Sequence, residues 1–190
     1  MADTSKNAIQ AMMKSFTDIV TPAVDPLDPI ALEQLQSAVK YLEFLSERID
    51  YVYDRERFEL GHHVAMGNAL AEEAEKAAPK VAAALAADVE AGAQTYRQLG
   101  AGIPQMRDRT AALTATVREL VIAAQGTDPE VRRAIERIIV DDSGSRILLD
   151  RAWYCPLGFE HSPGDVPALA TALASQQDVL SRPRRRVQSP

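Results

Sequence analysis

The sequence predicts an all-α fold, a helical bundle built around one very long helix. Three observations carry this. Aromatic residues make up only 5% of the chain and alanine is abundant, which favours helix over strand. Few segments alternate apolar with polar residues, the period a half-buried strand needs. Finally, nothing but Gly61 and Gly67 interrupts the helical pattern between Pro29 and Lys76.

The elements follow in order. Residues 1–20 read as a short amphipathic helix, stopped by the three prolines of "TPAVDPLDP" at 21–29. Asp28 then Pro29 gives an N-cap and an N1 proline, a strong helix start. The run from there is roughly 45 residues, about 70 Å at 1.5 Å per residue. A helix that long needs partners along its length, and a dimer is one way to supply them. A second helix reads over 78–99, ended by "GAGIP", and a third over 105–124, ended by Gly126. Asp128-Pro129 repeats the start signal and opens a fourth to about Trp153, with Gly144 a place for a bend. Residues 166–181 hold at most a short helix, and "RPRRR" near the end reads as a basic tail. The expected organisation is an N-terminal extension (1–27), a helical domain (28–153) and a C-terminal loop, short helix and tail (154–190).

Composition excludes several classes. The chain has 190 residues, 46% hydrophobic and 25% charged, ordinary for a globular domain. A net charge of −6 argues against a nucleic-acid or anionic-membrane binder. The single cysteine, Cys155, fits a reducing compartment and an inert thiol. No apolar run reaches the roughly 18 residues of a membrane span, and the N-terminus has no compact apolar region of the signal-peptide kind. The expectation is a cytoplasmic protein. With no Gly-rich phosphate loop, Cys-x-x-Cys or serine elbow, no cofactor is expected.

The long helix carries the unusual chemistry. Leu35, Val39, Leu42, Leu45, Ile49 and Val52 form an apolar stripe at three-four spacing. The next positions on it are Glu56, Glu59 and His63, before Met66 and Leu70 restore it. Arg48, Arg55, Glu59 and His62 fall near one line, because 7, 11 and 14 residues return within roughly 40°. Such a patch is either solvated or the wall of a polar pocket, where buried charges need partners or a ligand. Glu59 with His62 or His63 could supply acid–base chemistry, since a histidine beside a carboxylate titrates near neutrality. For Arg48, Arg109 and Arg146 the plainer reading is ion pairing with Glu56, Glu59, Asp142 or Asp150. Glu59-x-x-His62 also has di-iron ligand spacing, which needs a second such motif or a dimer to supply it; a helical-bundle metalloprotein is therefore a third reading, behind the others, and no metal ligand is assigned.

These residues resemble a family. "RIDYVYDRERFE" at 48–59 looks like the first-helix signature of the all-helical chorismate mutase and isochorismate-pyruvate lyase family. "GIPQMRDRTAAL" at 102–113 is similar to that family's second-helix start, and "GTDPEVRRAIERIIVDDSGSRIL" at 126–148 to its third helix. Residues from about 64 to 101 would then be an insertion. The resemblance implies an intertwined homodimer binding a small cyclic carboxylate between helices, with isomerase or lyase chemistry. Arg48 matches the first-helix arginine on a substrate carboxylate. Arg109, or its neighbour Arg107, matches the second-helix arginine, and Arg146 falls where a Gln or Glu usually faces the ether oxygen. Two positions depart: Glu59 stands at the family's catalytic lysine, and Ala31 where many members have an arginine. A pericyclic rearrangement needs cations at its carboxylates and its ether oxygen, and glutamate there repels. The expected site is therefore an altered one, with Arg48, Arg55, Arg107, Arg109 and Arg146 holding anionic groups and Glu59, His62 and His63 orienting or protonating. The alternative is a non-catalytic helical partner or regulatory subunit that has lost the activity.

Overall fold

The computed structural model describes residues 4–174, and among them there is no strand. The basic C-terminal segment lies outside the described residues. Residues 4–52 and 153–166 form one compact unit, and residues 53–152 and 167–174 form another.

The first unit begins with α1 (Thr4–Ser15), which runs through a π turn at Phe16–Val20 into the short α2 (Thr21–Ala23). Asp28 caps α3 (Pro29–Arg48), accepting from the Ala31 N–H at 3.0 Å, with Pro29 at the first helical position. The N-terminal extension is not loose: α1 packs on α3, and Lys6 Nζ meets Asp50 Oδ2 at 2.8 Å. The apolar stripe of α3 is only partly covered. Leu35, Val39 and Leu42 are half-buried and Leu45 is exposed. The buried positions are Phe44, Ser46 and Arg48, joined by Trp153 from the returning chain.

The long helix is not uniform. A 3₁₀ turn at Ile49–Tyr51 separates α3 from α4 (Val52–Ala77). Ala78 breaks the helix with extended backbone, and Pro79 opens α5 (Pro79–Arg97). Gly100 takes φ +79°, a left-handed conformation that lets the chain turn into α6 (Ile103–Ala124). Asp128 then accepts from the Glu130 N–H at 2.7 Å to start α7 (Pro129–Tyr154), which passes Gly144 without interruption. A 3₁₀ turn at Cys155–Leu157 and another at Pro163–Asp165 lead to α8 (Leu169–Ala174).

The main core lies in the second unit. Leu60, Val64, Leu70, Leu85, Met106, Leu113, Leu120 and Ile135 are fully covered. Glycines let α4 and α5 approach closely. A Cβ on Gly67 would collide with Val89 Cγ2. One on Gly92 would lie 2.8 Å from Val64 Cγ2, and one on Gly61 2.7 Å from the Tyr96 ring. The glycines that look like interruptions in the sequence are therefore contact points. Arg57 seals the same face, its Cζ 4.0 Å from the Tyr96 ring centroid and Nη1 donating to the Tyr96 carbonyl at 2.6 Å.

Candidate functional site

The polar interruption of the stripe sits on α4 in the second unit, and its partners come from α6 and α7. Glu56 accepts from Arg107 Nη2 at 2.7 Å. Glu59 meets Arg146 Nε at 3.1 Å. Arg55 Nη2 donates to Asp150 Oδ1 at 3.0 Å. His62 Nδ1 lies 3.8 Å from Asp142 Oδ2, beyond hydrogen-bond reach. Three of these contacts step along α4 and α7 in opposite senses: 55 with 150, 59 with 146, 62 with 142. The two helices are antiparallel, and their facing edges carry complementary charge.

Acids and bases occupy different depths. The Glu59 side chain is 12% exposed, whereas that of Arg146 is 50% exposed. Glu56 is likewise covered and Arg107 open to water. At Glu56 and Glu59 the carboxylates turn inward and the guanidinium groups close over them, whereas in the Arg55–Asp150 pair the guanidinium is the more covered partner. This answers the burial problem directly, since a covered carboxylate needs a cation or several donors. Charge-assisted contact with Glu56 also raises Arg107 above its ordinary value.

The two histidines behave differently. His62 is 1% exposed, stacks on Phe58 at 5.9 Å and meets the His63 ring edge-on at 5.3 Å. Its Nε2 is buried with no hydrogen-bond partner. Burial, and after it the charges of His63 and Arg146, push His62 down to about 4. It is a neutral core side chain, not a group that titrates near neutrality. His63 Nδ1 sits 2.8 Å from the Glu59 carbonyl oxygen. A carbonyl only accepts, so Nδ1 carries the proton and Nε2 is the ring's basic atom. The Glu59 carboxylate is 3.9 Å from that Nδ1.

Two candidates are not among these ion pairs. Arg109 is exposed on α6. Arg48 belongs to the first unit, where its Nε donates to the Trp153 carbonyl at 2.9 Å and its Nη1 to Glu47 Oε2 at 3.2 Å. Its guanidinium carbon lies 5.6 Å from the Phe44 ring centroid and 6.0 Å from that of Trp153. The structure thus brings Arg55, Arg107, Arg146, Glu59, His62 and His63 together along α4. No family model, curated protein or solved structure matches this chain.

Sequence reasoning missed two polar features. Arg57 is the stacking arginine of the charged stretch, and no local signal separates it from its neighbours, because Tyr96 is 39 residues away. Thr116 donates to Asp88 at 2.5 Å between α6 and α5. Both were hidden inside segments that look like ordinary helix surface. Among the described residues no group of three or more His, Cys, Asp or Glu side chains is placed to hold a metal ion.

Proposed function

We propose that this chain is a non-catalytic helical protein, a partner or regulatory subunit of the chorismate mutase type that acts as a homodimer. The Glu59–Arg146 pair carries the reading. Glu59 stands where the resemblance expects a lysine, and Arg146 already neutralises it at 3.1 Å. Arg55 and Arg107 are engaged in the same way by Asp150 and Glu56. A dicarboxylate that recruited Arg146 would leave Glu59 covered and unpaired, at about 1–3 kcal/mol. Each further arginine taken would strip another acid. His62, held neutral in the core, offers no proton relay at physiological pH. The homodimer rests on the resemblance, and the exposed side chains of Leu27, Ile30 and Ile19 are available to such a contact.

The test is direct. Purified protein is incubated with chorismate and with isochorismate, and loss of each is followed by absorbance. No turnover is expected, from the wild type or from Glu59→Gln, and sedimentation should give a dimer mass. Turnover by the wild type would overturn the proposal.

One observation favours a second reading, an isomerase or lyase with an altered site. Glu59 and His63 form a carboxylate–imidazole pair within 3.9 Å. Under that reading turnover appears and falls in both Glu59→Gln and His63→Gln, while Arg109→Ala leaves it intact.

A further inference from the structure

We propose that the first unit holds a binding site for a small aromatic monocarboxylate. The site is a half-open pocket of about 310 Å³ walled by Phe44, Leu45, Ile49, Trp153 and Tyr154, with Arg48 set into its wall. That volume is at the small end of ligand pockets, enough for one ring and a short arm. The inference goes beyond the proposed function and uses none of the α4 ion pairs.

Charge decides the ligand class. Among the described residues that line the pocket Arg48 is the one that carries charge, and its side chain is only 10% exposed. Two of its acceptors are a neutral carbonyl, Trp153 O, and the carboxylate of Glu47, whose side chain is 59% exposed. An ion pair to a solvated neighbour is weak. A carboxylate arriving inside the pocket meets the same guanidinium with less water between them, so it can exchange for the Glu47 contact. One cation in an otherwise apolar lining suits one anionic group, which favours a monocarboxylate over a dicarboxylate or a phosphate.

The walls decide the rest of the ligand. Phe44 meets Trp153 edge-on at 6.5 Å, Tyr154 in a stack at 6.1 Å and Tyr41 at a tilt at 5.8 Å. A ligand ring extends this cluster through the same edge and face contacts, beyond what an alkyl chain of equal area gains.

Trp153 is the only tryptophan, so its fluorescence reads the pocket. The full chain is titrated with 3-phenylpropanoate, its neutral amide and octanoate. The proposal expects saturable change with 3-phenylpropanoate at a Kd below about 1 mM, and at least about tenfold weaker binding of the amide and of octanoate. Arg48→Lys should weaken the acid about tenfold and leave the amide unchanged. Because Arg48 also holds the Trp153 carbonyl, a second variant is needed. Tyr41→Ala, on the half-exposed side of the pocket, should weaken both aromatic ligands with helix content preserved by circular dichroism. Equal affinity for acid and amide, octanoate binding as tightly as the aromatic acid, indifference to either variant, or no saturable change would each overturn the proposal.

Discussion

Replacing His62 with leucine should make the protein more resistant to acid. In the fold, burial holds His62 at about 4 against an ordinary 6.5. A histidine with a lowered value is neutral when folded, so the unfolded chain takes up the proton first. Stability is therefore complete above about pH 6.5, falls as pH drops, and levels off below about 4. The gap between the two values, at about 1.36 kcal/mol per pH unit, is worth about 3 kcal/mol. Leucine has a similar volume, binds no proton and removes the unpartnered Nε2. The assay is urea unfolding of wild type and His62→Leu followed by helix circular dichroism, from about pH 7.5 to about 4.5. Carboxylates away from position 62 titrate alike in both chains and cancel in the difference. The difference in unfolding free energy should swing toward the variant by about 2 to 3 kcal/mol across that range, most of it below pH 6.5. Two parallel profiles would refute the reasoning, because they would mean His62 takes up its proton equally readily folded and unfolded.

Other perturbations separate packing from charge. Gly67→Val puts a branched side chain onto Val89 and should cost about 2 kcal/mol or more, whereas Gly144→Ala, with nothing within 4 Å of the new Cβ, should stabilise by about 1 kcal/mol; thermal melts of the two should move in opposite directions. Arg146→Ala strands a covered Glu59 and should cost about 1–3 kcal/mol. Glu59→Ala leaves a half-exposed arginine to water and should cost less, a ranking that denaturant titration reads. Asp128→Ala removes the cap on Glu130 N and should lower stability by about 1 kcal/mol, visible as fraying of the first turn of α7 in hydrogen exchange.

Much of the fold was legible because helix boundaries are local chemistry. Asp28-Pro29 and Asp128-Pro129 each opened a helix where the cap-and-proline rule places one. Two local readings missed. The stretch from Asp28 to Lys76 holds a 3₁₀ turn at Ile49–Tyr51, which no glycine or proline announces. The α3 stripe was expected to be buried, yet Leu45 is exposed and Phe44 is covered, because the aromatic cluster at Trp153 and Tyr154 arrives from about 105 residues away. The charged face had two open readings, and periodicity could locate Glu56 and Glu59 on the stripe without saying what met them. Their partners, Arg107 and Arg146, lie 51 and 87 residues downstream. One sequence holds no record of such pairings, although Glu56, Glu59 and Asp150 were already the natural counter-ions. Arg48, placed on the same line as Arg55 and Glu59 by helical angle, belongs to a different unit.

The ladder between α4 and α7 has a consequence for how the chain avoids misassembly. Arg55 and Glu59 are four residues apart, and so are their counterparts Asp150 and Arg146. Hydrophobic faces alone tolerate sliding by one turn, since a leucine looks much the same to its neighbours a step along. Here such a slip sets Glu59 against Asp150, or Arg55 against Arg146, and converts attraction into repulsion in a half-buried seam. The alternating signs thus work as a vernier scale on which one alignment of the two helices matches and the adjacent ones clash.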